Sequence, residues 1–283
     1  MQQPRGFLSL VGAILTEPCS PEADYGVFYI DALTYQPMCG AGTLSVAKVL
    51  VETGMVKRVE PETKIVLETP TGLVTVYVKW ENHMVASINL ENVPAFLYRK
   101  DLHIDLAGYG DVSVDIGYGG NFFVLADVHS LGLTITKDTV NLLRSLSKDI
   151  LAAANKVIKV AHPTNPAINY LDQVLFCQNV PEEDGGYLAQ CIFGDAQADI
   201  SPCGTGTSTR LAQRYFRGLI GLEETFVQKS VCGGAFHAKG LRETTGGVPA
   251  IVPYVSCSDV HITGFNHLIV EENDKLKNGF VSW

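Results

Sequence analysis

"QPMCGAGTLSVAK", residues 36–48, and "ISPCGTGTSTR", residues 200–210, contain the same phrase. Each runs Cys-Gly-x-Gly-Thr into a helical pattern, and the two cysteines, Cys39 and Cys203, stand 164 residues apart. Ten residues separate each threonine from a glycine, Gly54 or Gly218, which two apolar residues follow. Asp31-Ala32 and Asp195-Ala196 precede the cysteines at matching positions, with Pro37 and Pro202 between. A repeat of this period reports a duplicated supersecondary unit, here strand–loop–helix. The expectation is an α+β fold of two similar lobes packed face to face. Each lobe offers one Cys-Gly loop to the cleft between them, the kind of place where small ligands bind.

The rest of the chain agrees with this class. Helical spacing of apolar residues predicts helices over 44–53, 139–158 and 208–217, the first and last stopping at Gly54 and Gly218. Short runs rich in Val, Ile and aromatics predict strands, among them "YGVFYID" (25–31), "KIVLETP" (64–70), "LVTVYVKW" (73–80), "HMVASINL" (83–90), "DVSVDIGYG" (111–119), "DQVLFCQ" (172–178), "LAQCIFG" (188–194) and "AIVPYVSC" (250–257).

Composition narrows the function. The 283 residues are 46% hydrophobic and 18% charged, enough for a large core. The net charge of −9 argues against a nucleic-acid partner, which needs a basic face. No stretch of eighteen apolar residues predicts a membrane span. The apolar run 7–15 is broken by Ser9 and Gly12, so no signal peptide is read and a cytoplasmic location is expected. Seven cysteines, an odd number without Cys-x-x-Cys, fit a disulfide framework poorly. The seven histidines have no zinc-site spacing, so no metal is expected. Cys177, Cys191, Cys232 and Cys257 read as small core residues.

Cys39 and Cys203 read differently. A helix N-terminus favours thiolate, and Gly-x-Gly lets backbone amides approach an anion. Two facing thiols with a carboxylate held between them suit inversion at the Cα of an amino acid. One sulfur removes the Cα proton and the other returns one on the opposite face. Asp199 either orients the substrate nitrogen or caps the following turn. A dinucleotide site is disfavoured because Ser45 and Thr209 stand where its third glycine would be. A reversible redox pair of Cys39 and Cys203 is a further alternative, without a resolving-cysteine motif behind it.

In order along the chain, "ILTEPCSPEADYGVFYID", "MCGAGT" followed by "VETGMV", "NVPAFLY", "GGNFF", "AHPTNPAI", "FGDAQADISPCGTGTS" and "ITGFNHLIV" resemble the proline racemase family. That family holds proline racemases, 4-hydroxyproline 2-epimerases and trans-3-hydroxyproline dehydratases. The resemblance implies two pseudo-symmetric lobes of the diaminopimelate-epimerase-like type, with the active site in the cleft, no cofactor, an imino-acid substrate and a homodimer. It implies Cys39 and Cys203 as catalytic bases, and Gly40 and Ala41 as the first substrate loop. It further implies Gly204 and Thr205 as carboxylate-holding amides, Asp199 as the contact to the substrate nitrogen and Phe193 as a pocket wall. The division expected is 1–107 plus 260–283 for one lobe and 108–259 for the other.

Within that resemblance, Cys203 argues against the dehydratases, which carry threonine there. Val11, where the racemases resemble one another in phenylalanine, tilts toward a hydroxylated ring, whereas "ILTEPCSPEADYG" is closer to racemases. The chain departs from the pattern at Ala41, usually histidine, and at Ile200, usually arginine. It also lacks the family's opening His-Thr-Gly-rich strand, with Phe7 at a position often histidine; an exposed edge or a gap in the first lobe is expected there. The alternative is a catalytically impaired or inactive paralogue that binds an imino acid.

Overall fold

The computed structural model describes residues 6, 10–245 and 247–280. In the first half run β1 (Gly12–Thr16), β2 (Tyr25–Ile30), β3 (Tyr35–Gln36), α1 (Gly40–Glu52), β4 (Glu62–Thr69), β5 (Gly72–Glu81) and β6 (Met84–Glu91). Then come β7 (Phe96–Leu106), β8 (Gly110–Tyr118), β9 (Phe122–Asp127), α2 (Val140–Val157), β10 (Leu171–Cys177), β11 (Tyr187–Phe193) and β12 (Gln197–Ala198). The chain continues with α3 (Gly204–Phe216), β13 (Phe226–Lys229), β14 (Ala235–Thr245) and β15 (Pro249–Cys257). The α+β expectation holds.

The strands follow one path, β1-β2-β4-β5-β6-β15-β14-β13-β11-β10-β9-β8-β7. Its two arms enclose one helix each. α1 packs on β1, β5 and β6, and α3 packs on β7, β8, β9, β14 and β15. The duplication is visible in the pairing. β2 runs parallel to β4 across α1, and β11 runs parallel to β13 across α3. In each unit a short return strand pairs back, β3 on β2 and β12 on β11, and delivers the chain to the cysteine. Tyr29 and Phe193, 164 residues apart, occupy matching rungs opposite Gln36 and Gln197.

Burial explains the local patterns. β4 alternates buried and exposed residues because only one face meets α1's core, where Ile65, Leu67, Val76 and Leu50 are fully buried. β9 is "FFVLAD", buried at its first five positions, because α2 and α3 cover its two faces. It therefore carries no alternation and escapes detection by period. β7 is interrupted by irregular pairing near Arg99 and Asp101, which hides it similarly.

α1 and α3 begin at Gly40 and Gly204, four residues ahead of the helical starts read from sequence. Glycine lowers helix propensity, yet in the first turn tertiary contact overrides it. The lobe boundary expected between residues 107 and 108 falls in the turn of the β7–β8 hairpin, so β7 lies with the strands of the second half. Phe7, singled out from sequence, lies outside the described residues. Cys177, Cys191 and Cys257 are buried as expected, but Cys232 is exposed, in the turn between β13 and β14.

Candidate active site

Both cysteines are the N-caps of their helices. Cys39 Sγ accepts the Gly42 N–H at 3.3 Å, and Cys203 Sγ accepts the Gly206 N–H at 3.3 Å. Each thiol thereby satisfies one of the donors that a helix start leaves unpaired. The two helices meet head to head. A Cβ on Gly40 would lie 2.7 Å from Gly204 Cα, and one on Gly204 would lie 2.7 Å from Gly40 Cα. The glycine that follows each cysteine thus serves close approach of two helix heads. Two positive helix ends then face one space, which suits an anion.

That space is a cavity of about 800 Å³ lined by Cys39, Gly40, Ala41, Phe193, Asp199, Cys203, Gly204 and Thr205 together. Every site residue proposed from sequence lies on it, and Val11 does as well. Among the described lining residues there is no lysine or arginine.

The two thiols differ in their surroundings. Cys39 has an extended backbone, whereas Cys203 has φ 64° and ψ 103°, a strained region for a residue with a Cβ. A network holds it there. Its N–H donates to Ser201 Oγ (3.0 Å), and the Pro202 carbonyl accepts Gln228 Nε2–H (2.7 Å). Burial pushes the Cys39 thiol up to about 12, against the pull of the Gly42 N–H, with negative charge at Asp199 and Cys203 pushing the same way as burial. The expectation that the helix terminus lowers this pKa is overturned, because desolvation outweighs the helix end. Burial likewise raises Asp199 to about 6, opposed by Ser201. Its carboxylate accepts the Ser201 N–H at 2.8 Å, so the turn-capping role is present while Asp199 also lines the cavity.

Three features escaped the sequence. Asn121 reaches across from the loop before β9, donating to the Met38 carbonyl (2.8 Å) and to Thr205 Oγ1 (3.4 Å), with its own Oδ1 buried and unpartnered. Gln173 Nε2–H donates to Gln36 Oε1 (3.0 Å) on the same wall. Cys191, read as core, lines the cavity beside Cys203. No spacing rule joins these residues; the Gly119-Gly120-Asn121 run is a local turn signal that marks Asn121 alone.

Fold and site together define a class: a two-lobed α+β protein in which duplicated, thiol-capped helix heads face one cavity. The family model described as proline racemase matches residues 1–281. A trans-3-hydroxy-L-proline dehydratase of Burkholderia cenocepacia is 38% identical, over 99% of this chain and 84% of its own length. A proline racemase of Clostridioides difficile is 37% identical over the same shares. The solved structure of a hydroxyproline epimerase from Agrobacterium vitis, with bound trans-4-hydroxy-L-proline, superposes with a TM-score of 0.94 at 29% identity, covering 100% of this chain and 81% of that one. The chain belongs to the proline racemase family, and at that level it is an enzyme of the amino-acid racemase and epimerase type.

Proposed function

We propose that the protein inverts Cα of proline or 4-hydroxyproline without a cofactor, using Cys39 and Cys203 as two bases on opposite faces. The observation that carries this reading is the head-to-head pair of thiol-capped helices on one cavity. The substrate carboxylate sits at the first-turn amides of Gly40, Ala41, Gly204 and Thr205, whose donors stabilise the charge that develops as Cα loses its proton. Asp199 holds the ring nitrogen as its ammonium, and Phe193 walls the ring. One sulfur, as thiolate, takes the Cα proton. The other, as thiol, delivers its proton from the opposite side. The product leaves with the two sulfurs in exchanged protonation states. Cys203, rather than threonine, favours inversion over dehydration.

We further infer a cytoplasmic location, and a homodimer as the family resemblance implies. All seven cysteines are free, which fits a reducing compartment.

The test is proton exchange in deuterated water with L- and D-proline and the 4-hydroxyprolines. Deuterium wash-in at Cα, lost in Cys39→Ser and in Cys203→Ser, is expected. No uptake at high enzyme concentration overturns the reading. One observation favours the alternative of a binding paralogue: Ala41 offers the cavity only a methyl group, and Ile200 is 75% exposed, so neither supplies a polar contact there. Calorimetric binding of pyrrole-2-carboxylate without exchange, and activity gained by Ala41→His, would identify that case.

A further inference from the structure

A third sulfur stands beside Cys203. The Sγ atoms of Cys191 and Cys203 and a carboxylate oxygen of Asp199 all lie within 4.8 Å of one another. Cys191 is 2% exposed and Cys203 6%, and all three residues line the cavity. We propose that Cys191, Asp199 and Cys203 form a binding site for a thiophilic divalent cation of the zinc class.

The geometry fits the ion. Tetrahedral zinc with sulfur bonds of about 2.3 Å sets its two sulfurs about 3.8 Å apart, which small side-chain rotations reach from the observed spacing. Three protein ligands leave the fourth position toward the cavity, which also gives the entry path. The ligands are themselves held in place. Asp199 is fixed by the Ser201 N–H (2.8 Å), and Cys203 Sγ by the Gly206 N–H (3.3 Å) with Thr205 Oγ1 at 3.7 Å. Two sulfurs and one carboxylate select zinc or cobalt over magnesium or calcium, which take oxygen ligands. No described lysine or arginine on the cavity wall opposes a cation. The helix end does oppose one, and two thiolates with a carboxylate outweigh its half charge. Binding sends the two thiol protons to solvent and changes no oxidation state.

A consequence rests on the role of Cys203 proposed above: the cation and the imino acid exclude each other. Metal binding itself does not depend on turnover, so it is tested without it. The reduced protein is titrated with Co²⁺ and followed by absorption. The expected result is one Co²⁺ per chain with a sulfur-to-cobalt charge-transfer band and the visible bands of a tetrahedral site, discharged by Zn²⁺. Cys191→Ser and Cys203→Ser lose the band, Cys39→Ser keeps it, and Asp199→Asn weakens binding by about 10-fold or more. Absence of the band in the wild-type protein overturns the proposal whatever the variants do. A band unchanged in Cys191→Ser, or lost in Cys39→Ser, overturns it as well, because the ligands are then different.

Discussion

Asp199 joins two demands that pull in opposite directions. Burial favours its neutral acid, while holding an ammonium requires the carboxylate. With its pKa raised to about 6, the group is protonated below that pH and ionised above it. The proposed reaction therefore has an acid limb: kcat/KM rises as pH rises through about 6. The Cys39 thiol, raised to about 12, must ionise to act as the base, so the direction of inversion that uses it continues to gain as pH rises above that limb. A pH–rate profile checks this, and a flat profile between pH 5 and 7 would remove Asp199 from substrate binding.

At the scale of elements, the contact between the helix heads is the point of least tolerance. In Gly40→Ala the new Cβ meets Gly204 Cα at 2.7 Å and its carbonyl carbon at 3.0 Å, both backbone atoms that cannot turn aside. The heads must separate, at about 1–3 kcal/mol for overpacking. Exchange activity is expected to fall on the order of 10²-fold, because the sulfurs shift relative to Cα. Thermal melts and the deuterium assay measure the two effects separately. α3 is also pinned along its length. Arg210, fully buried, donates to the Leu188 carbonyl (3.1 Å) and the Gln178 carbonyl (2.7 Å), tying the helix to β11 and to the end of β10. Arg210→Met keeps the bulk but leaves those carbonyls without their donor, and unfolding should become easier by about 3 kcal/mol.

Across the whole molecule, the two halves meet through polar groups with little solvent. Gln36 Nε2–H donates to Asp31 Oδ2 (3.0 Å), and Gln173 Nε2–H donates to Gln36 Oε1. Beside them Asp172 has a buried Oδ1 with no partner, and burial first, then the charge of Asp31, raise its pKa to about 6. A carboxyl raised in the folded state favours folding while protonated, and that contribution is lost as pH rises from about 4 through about 6. Asp172→Asn removes the loss. It should stabilise the protein at pH 7 by up to about 3 kcal/mol and show no gain at pH 4. Denaturant unfolding at the two pH values decides it.

The duplicated Cys-Gly-x-Gly-Thr phrase by itself determined two lobes, two helices and two paired thiols, because spacing and residue type along a chain are local facts. The same locality hid β9, whose strand is buried on both faces, and hid the helix starts, where glycine's low propensity argued for a later residue than contact allowed. The eight residues expected from sequence line one cavity, together with many that no motif marked. Only the tertiary structure decided that Gly40 and Gly204 touch, that Asn121 and Gln173 reach the same wall, and that Cys191 stands beside Cys203. It also reversed the expected pKa of Cys39. Desolvation depends on everything packed around a group, and no motif records that.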